Sequence, residues 1–244
     1  MDTREIITNH LRNYVPDPRN NETVSKNRVQ VYREEYKTYT GEAIEISTNE
    51  GYGFYSILGL EDEDGHFYRF GTDYWVITER DKIYIQFMDY EESKKPEEGK
   101  ELLIKFREVK EGRQWINPAK QSRVIKEQDY PIVSVSIISE AGGRLGDFQA
   151  PISRQTQYQV EVRTKEDNLF AYTEAGSNLE RTMGGEQLST EIIEHTIRAI
   201  ADHEEDLHPT LYGFVLNEGG TYIEFEENTQ SHRRVTSFSL WRIT

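Results

Sequence analysis

Residues 42–88 read EAIEISTNEGYGFYSILGLEDEDGHFYRFGTDYWVITERDKIYIQFM, and this stretch decides the expected fold class. Ile44 and Ile46 flank Glu45, while Ile83, Ile85 and Phe87 alternate with Lys82, Tyr84 and Gln86. A period of two sends one set of side chains to a core and the other to water, as in a strand. Between these ends, Phe54–Leu58, Phe67–Phe70 and Tyr74–Ile77 concentrate β-branched and aromatic residues, which suit a half-buried pleated surface. Asp64-Gly65 sits between two of the runs, and an Asp-Gly pair there is a strong hairpin signal.

Working outward, the same alternation recurs. Val29–Tyr39 reads as a strand before the meander. Leu102, Ile104 and Phe106, after a charged loop at 91–100, read as one following it. Gly112 marks a turn before Gln114-Trp115-Ile116. In the second half, Val133, Val135 and Ile137 share one face, and Tyr158, Val160 and Val162 alternate with Gln159, Glu161 and Arg163, the pattern of antiparallel strands wet on one side. Leu169–Thr173 is the expected hairpin partner across Lys165–Asn168. Three more strands are expected at Leu211–Leu216, Tyr222–Phe225 and Val235–Ile243, the first two joined by a turn at Asn217–Gly220.

Two helices interrupt this pattern. Residues 4–15 place Ile7, Leu11 and Tyr14 on one stripe, and Pro16-Asp17-Pro18 ends it because proline lacks the needed N–H. Thr190–Glu205 carries Ile192, Ile193, Thr196, Ile197 and Ile200, with Ser189 as the expected N-cap. The expected fold is mainly β: antiparallel barrel or sandwich modules, with a short N-terminal helix and one long helix in the C-terminal half. The expected divisions are a helix and arm at 1–27, a barrel-like module at 28–128, and a sandwich-like module with its flanking helix at 129–244.

Composition narrows the function classes. The chain has 244 residues, 11% of them aromatic, and no cysteine, which excludes disulfides, thiolate nucleophiles and Cys-ligated metals. Its aromatic content opposes general disorder. No apolar run has the length of a bilayer-spanning helix, and residues 1–5 do not open a secretory signal. A cytoplasmic or virion location is expected. Net charge is −15 and uneven: residues 1–126 hold 20 Lys+Arg against 24 Asp+Glu, and 127–244 hold 9 against 20. An acidic second half repels phosphate backbones.

The long first strand, the glycine-aromatic segment Gly51-Tyr52-Gly53-Phe54-Tyr55, the hairpin at Asp64-Gly65 and the late strand ending in Gly112-Arg113-Gln114-Trp115 together resemble an OB-fold over residues 41–126. That resemblance implies single-strand nucleic-acid binding. The candidate contacts are Lys105, Arg107, Lys110, Arg113, Lys120 and Arg123, with Lys126. From Leu103 to Lys126 seven cations face only Glu108 and Glu111. Trp115 lies among them, as a stacking platform or as core.

Metal chemistry is the other alternative. Glu191 and His195 are four apart on one helical face, with His203 and His208 beyond. The last two are five apart, which misses the four-residue spacing of zinc proteases. Glu161-Val162-Arg163 is a weak nuclease-like pattern, with Asp129 or Asp147 as upstream acid. Gly142–Gly146 matches no nucleotide loop. No residue set converges on catalysis, so the leading expectation is a cofactor-free interaction or assembly protein. It would form a homo-oligomer or join a larger complex such as a phage or viral particle. A single-stranded nucleic-acid binder and a metal-dependent hydrolase are the alternatives.

Overall fold

Strict alternation becomes strand wherever the sequence shows it. The computed structural model describes residues 3–19, 30–79, 82–89, 93–110, 114–118, 130–143, 153–207, 211–217, 222–227 and 229–243. Two units emerge: one spans Arg28–Gln114, and the other joins Asp2–Asn27 to Trp115–Thr244. In sequence the division falls between Gln114 and Trp115.

The first unit holds β1 (Gln30–Thr38), β2 (Ile44–Ile46), β3 (Tyr52–Asp62), β4 (Phe67–Tyr68), β5 (Tyr74–Glu79), β6 (Lys82–Phe87) and β7 (Glu101–Lys110). They form two antiparallel sheets of linear order, β1-β7-β3-β4 and β2-β6-β5. Ile57, Leu60, Leu102, Ile104 and Phe106 from the first sheet share one buried cluster with Ile44, Ile46, Ile83, Ile85 and Phe87 from the second. The described strands thus make open sheets around a common core. The Asp64-Gly65 hairpin is present between β3 and β4, with Gly65 at φ +81, a conformation glycine adopts without steric cost.

The second unit is built on β8 (Ile116–Asn117), β9 (Ile132–Gly143), β10 (Ser153–Lys165), β13 (Leu211–Leu216), β14 (Tyr222–Glu226) and β15 (Ser231–Ile243), in the order β13-β15-β10-β9-β8 with β14 also on β15. Pairing is antiparallel except between β8 and β9. Two further strands, β11 (Phe170–Thr173) and β12 (Glu180–Met183), pair only with each other. The hairpin partner of 170–173 is therefore β12, not β10.

Helix α2 (Gly185–Asp202) lays Leu188, Ile192, Ile193 and Ile200 on β10 and β15, all essentially buried, at about 1.5–3 kcal/mol for each such side chain. It starts earlier than Ser189 predicts. Gly184 is the N-cap without a side-chain bond, and Ser189 Oγ donates to the Glu186 carbonyl within the helix. Gly185 has φ +49, a left-handed conformation that glycine adopts without the strain an L side chain would meet. Helix α1 (Thr3–Tyr14) buries Ile6, Ile7 and Leu11 and contacts α2, β8 and β9. Arg12 donates to the Ile116 carbonyl at 2.7 Å and 3.0 Å. It is a packed wall of the second unit.

Candidate functional site

Strand β15 is thirteen residues long, and its two sides differ. One side is fully paired with β10, from Ser231 opposite Lys165 to Ile243 opposite Ser153. The other carries β13 opposite Arg242–Phe238 and then β14 opposite Val235–Ser231. β13 and β14 run in the same direction along β15 and do not pair with each other. Asn217 N–H still donates to the Ser237 carbonyl at 3.1 Å, and 218–221, where the joining turn is expected, lie outside the described residues. The two strands form one interrupted edge.

Among the described residues no strand pairs with the outer side of that edge. Tyr212, Val215, Leu216, Tyr222, Ile223 and Phe225 are 40–56% exposed, whereas alternate positions of neighbouring β10 (Tyr158, Val160, Val162) are wholly buried. Natural edge strands are usually shielded by lysine, proline, bulges or covering elements. β13 has a bulge between Tyr212 and Val215, where Gly213 at φ +68 turns its N–H to the Glu204 carboxylate. β14 has neither lysine nor proline, and its register with β15 is regular from Tyr222 to Glu226.

The acids of β14 are neutralised within the sheet. Glu224 pairs with Arg233 at 3.1 Å and Glu226 with Arg163 at 3.1 Å, and both arginines also hold Glu161, at 2.8 and 2.7 Å. Burial pushes the Glu161 carboxyl up, but the bonds and charges of Arg233 and Arg163 outweigh this and hold it below its ordinary value. The Glu161-Val162-Arg163 pattern is thereby accounted for as a charge ladder, not a cation seat. Asp129, Asp147 and Arg144–Gly146 lie outside the described residues, while Gly142 and Gly143 pair in β9.

The helical candidates serve as braces. Ala175 N–H donates to the Glu191 carboxylate at 2.8 Å, and His195 Nε2 donates to the Thr173 carbonyl at 2.8 Å. Both tie the β11–β12 hairpin to α2. His203 stacks on Tyr14 with ring centroids 4.0 Å apart, and His208 lies outside the described residues. Among the described residues no group of three or more His, Asp or Glu is placed to hold a metal ion. A cleft of about 510 Å³ near the start of β13 is lined by Asp202, Glu204, Glu205, Leu207, Leu211 and Tyr212. Its charged lining is three carboxylates, beside the Tyr212 phenol.

The basic stretch divides. Trp115 is wholly buried, and its carbonyl accepts the Val133 N–H at 2.6 Å, so it has no face for stacking. Lys105 donates to Glu61 at 2.7 Å, and that bond raises its pKa above the ordinary value. Arg107 stands opposite Tyr32 and Ser56 on the same face of the sheet. Lys110 is exposed at the end of β7. Arg113, Lys120, Arg123 and Lys126 lie outside the described residues.

Sequence reading missed the aromatic residues of that face. Tyr32, Tyr36 and Phe67 are 52–66% exposed and share it with Lys105 and Arg107. Their signal was present in the i, i+4 spacing of the tyrosines along β1, on the side opposite its half-buried positions. Among the described residues no helix is long and apolar enough to cross a membrane. No protein family, curated protein or solved structure matches the chain.

Proposed function

We propose that the chain is a non-catalytic interaction protein that joins an assembly through the β13–β14 edge. The observation carrying this reading is the set of six exposed apolar side chains along the β13–β14 edge, Leu216, Ile223 and Phe225 on one face of the sheet and Tyr212, Val215 and Tyr222 on the other, with the acids of β14 neutralised in place. An exposed edge offers unpaired N–H and C=O groups to another strand, and apolar side chains on both sides of such a strand would be covered by the strand that joins it. The test is sedimentation of tagged full-length chain in an extract of its own cells, beside the double variant Ile223→Asp/Phe225→Asp. The wild type should travel in a complex larger than one chain, and the variant should not. Wild-type chain that sediments alone contradicts the proposal.

A second reading, single-strand nucleic-acid binding, is favoured by one observation in the first unit: Tyr32, Tyr36 and Phe67 beside Lys105 and Arg107 on an open sheet face. Aromatic platforms among cations are how sequence-tolerant binders hold bases. It ranks below the first because Lys105 is neutralised by Glu61 and the net charge is −15.

A further inference from the structure

We propose that the exposed face of the sheet β1-β7-β3-β4 is a platform for an uncharged polysaccharide, whose sugar rings stack on Tyr36, Phe67 and Tyr32. The site is separate from the β13–β14 edge and does not depend on it. It gives this face an occupant other than the nucleic-acid strand considered above.

Strand register lays the face out in rows. Tyr36 stands opposite Leu103, Leu103 opposite Glu61, and Glu61 opposite Phe67. One row therefore crosses all four strands with a ring at either end, the two positions being three strand spacings, roughly 14 Å, apart. The next row is Glu34, Lys105 and Gly59, and Tyr32 beside Arg107 follows. Gly59 keeps the middle row low, since even a Cβ there would meet nothing within 4 Å. All three rings are more than half exposed, and Leu103 is half-buried. Rings thus alternate with hydrogen-bonding groups on a flat sheet, unlike the contiguous apolar patch that marks a protein interface.

Charge selects among ligands. Within these rows Glu34 and Glu61 balance Lys105 and Arg107. Lys105 donates to Glu61 at 2.7 Å, and the Tyr32 hydroxyl donates to Glu34. Beyond the Tyr36–Phe67 row the margin turns acidic: Glu63 N–H donates to the Glu101 carbonyl, and Glu63, Asp64 and Glu101 outnumber Lys100. A phosphate backbone laid across the rings would run beside those carboxylates, while a cationic chain would find the acids of the face already bonded. A neutral chain meets neither penalty.

Hydrogen-bonding chemistry completes the match. A sugar hydroxyl both donates and accepts, so neighbouring hydroxyls fit a carboxylate acceptor beside an ammonium donor, which Glu61 and Lys105 present as one pair. The C–H faces of the sugar rings cover the exposed aromatic rings between such pairs, as amphipathic aromatic side chains allow.

Retention of the purified full chain on beads tests this. The probes are immobilised uncharged polysaccharides (an α-glucan, a β-glucan, a mannan, a xylan and a galactan), with single-stranded DNA and heparin beads beside them. At least one uncharged polymer should retain the wild type, and retention should persist as salt rises, because no ion pair joins the ligand to the chain. Tyr36→Ala and Phe67→Ala should each weaken that binding about tenfold while melting as the parent does. Ile223→Asp/Phe225→Asp, on the other unit, should leave it unchanged. Retention on none of the uncharged polymers overturns the proposal, and so does retention that both ring variants keep. Binding confined to the DNA beads and lost as salt rises also overturns it and returns the face to nucleic acid.

Discussion

His10 Nε2 donates to the Ala199 carbonyl oxygen at 2.7 Å, joining α1 to α2 across 189 positions of sequence. The acceptor is a carbonyl, so Nε2 carries the proton. Burial pushes the imidazole pKa down from its ordinary 6.5, against the raising effect of that bond. In the folded state His10 therefore resists a second proton that the unfolded chain accepts. Where the unfolded state binds more protons, stability rises with pH. The second unit should lose stability as pH falls below about 6.5, and His10→Gln should flatten that slope. Melting temperatures of both proteins between about pH 5 and 8 check it; parallel curves would be the contrary result.

The charge ladder makes an equally direct prediction. Glu161 sits between Arg163 and Arg233 with its side chain 7% exposed. Glu161→Ala should cost about 3 kcal/mol by leaving two half-buried guanidiniums short of a partner, measured by urea denaturation. The depressed carboxyl pKa gives the sign at low pH. Its contribution is complete above the ordinary value of 4.5 and disappears as pH falls through the folded value.

Trp115 is expected to behave as core. Trp115→Ala should destabilise the second unit by about 3–5 kcal/mol through the cavity it leaves. A change under about 0.5 kcal/mol, the usual size for surface positions, would place the ring outside the core.

The aromatic face of the first unit separates the two functional readings. Tyr36→Ala and Phe67→Ala should leave melting nearly unchanged, since both rings are more than half exposed. If the face binds single strands, each change should weaken a short oligonucleotide by about 1–3 kcal/mol. No detectable oligonucleotide affinity in the parent chain removes that reading.

Strict alternation was legible throughout. Ile83, Ile85 and Phe87, Leu102, Ile104 and Phe106, and Tyr158, Val160 and Val162 are all buried as their period requires. The start of α2 was not, because its N-cap is a glycine without a capping side chain and a glycine pair reads as a turn. β12 was missed because Glu180-Arg181-Thr182 exposes three polar side chains before Met183 is buried. The edge itself was hidden for a deeper reason. Tyr222 and Ile223 are strand formers wherever they sit, and periodicity cannot tell a central strand from one lacking a neighbour. The Glu161 ladder was equally out of reach, since Arg233 lies 72 positions away and only register brings it close.

That β13–β14 is the surface through which the chain meets its partner is tested most directly by hydrogen–deuterium exchange of the Tyr222–Glu226 amides in the purified chain and in the chain recovered within its complex. The account predicts that alternate amides of β14 gain protection in the complex, while the exposed face around Tyr36 and Phe67 stays unchanged. Protection of β14 that is identical in the two samples would contradict it.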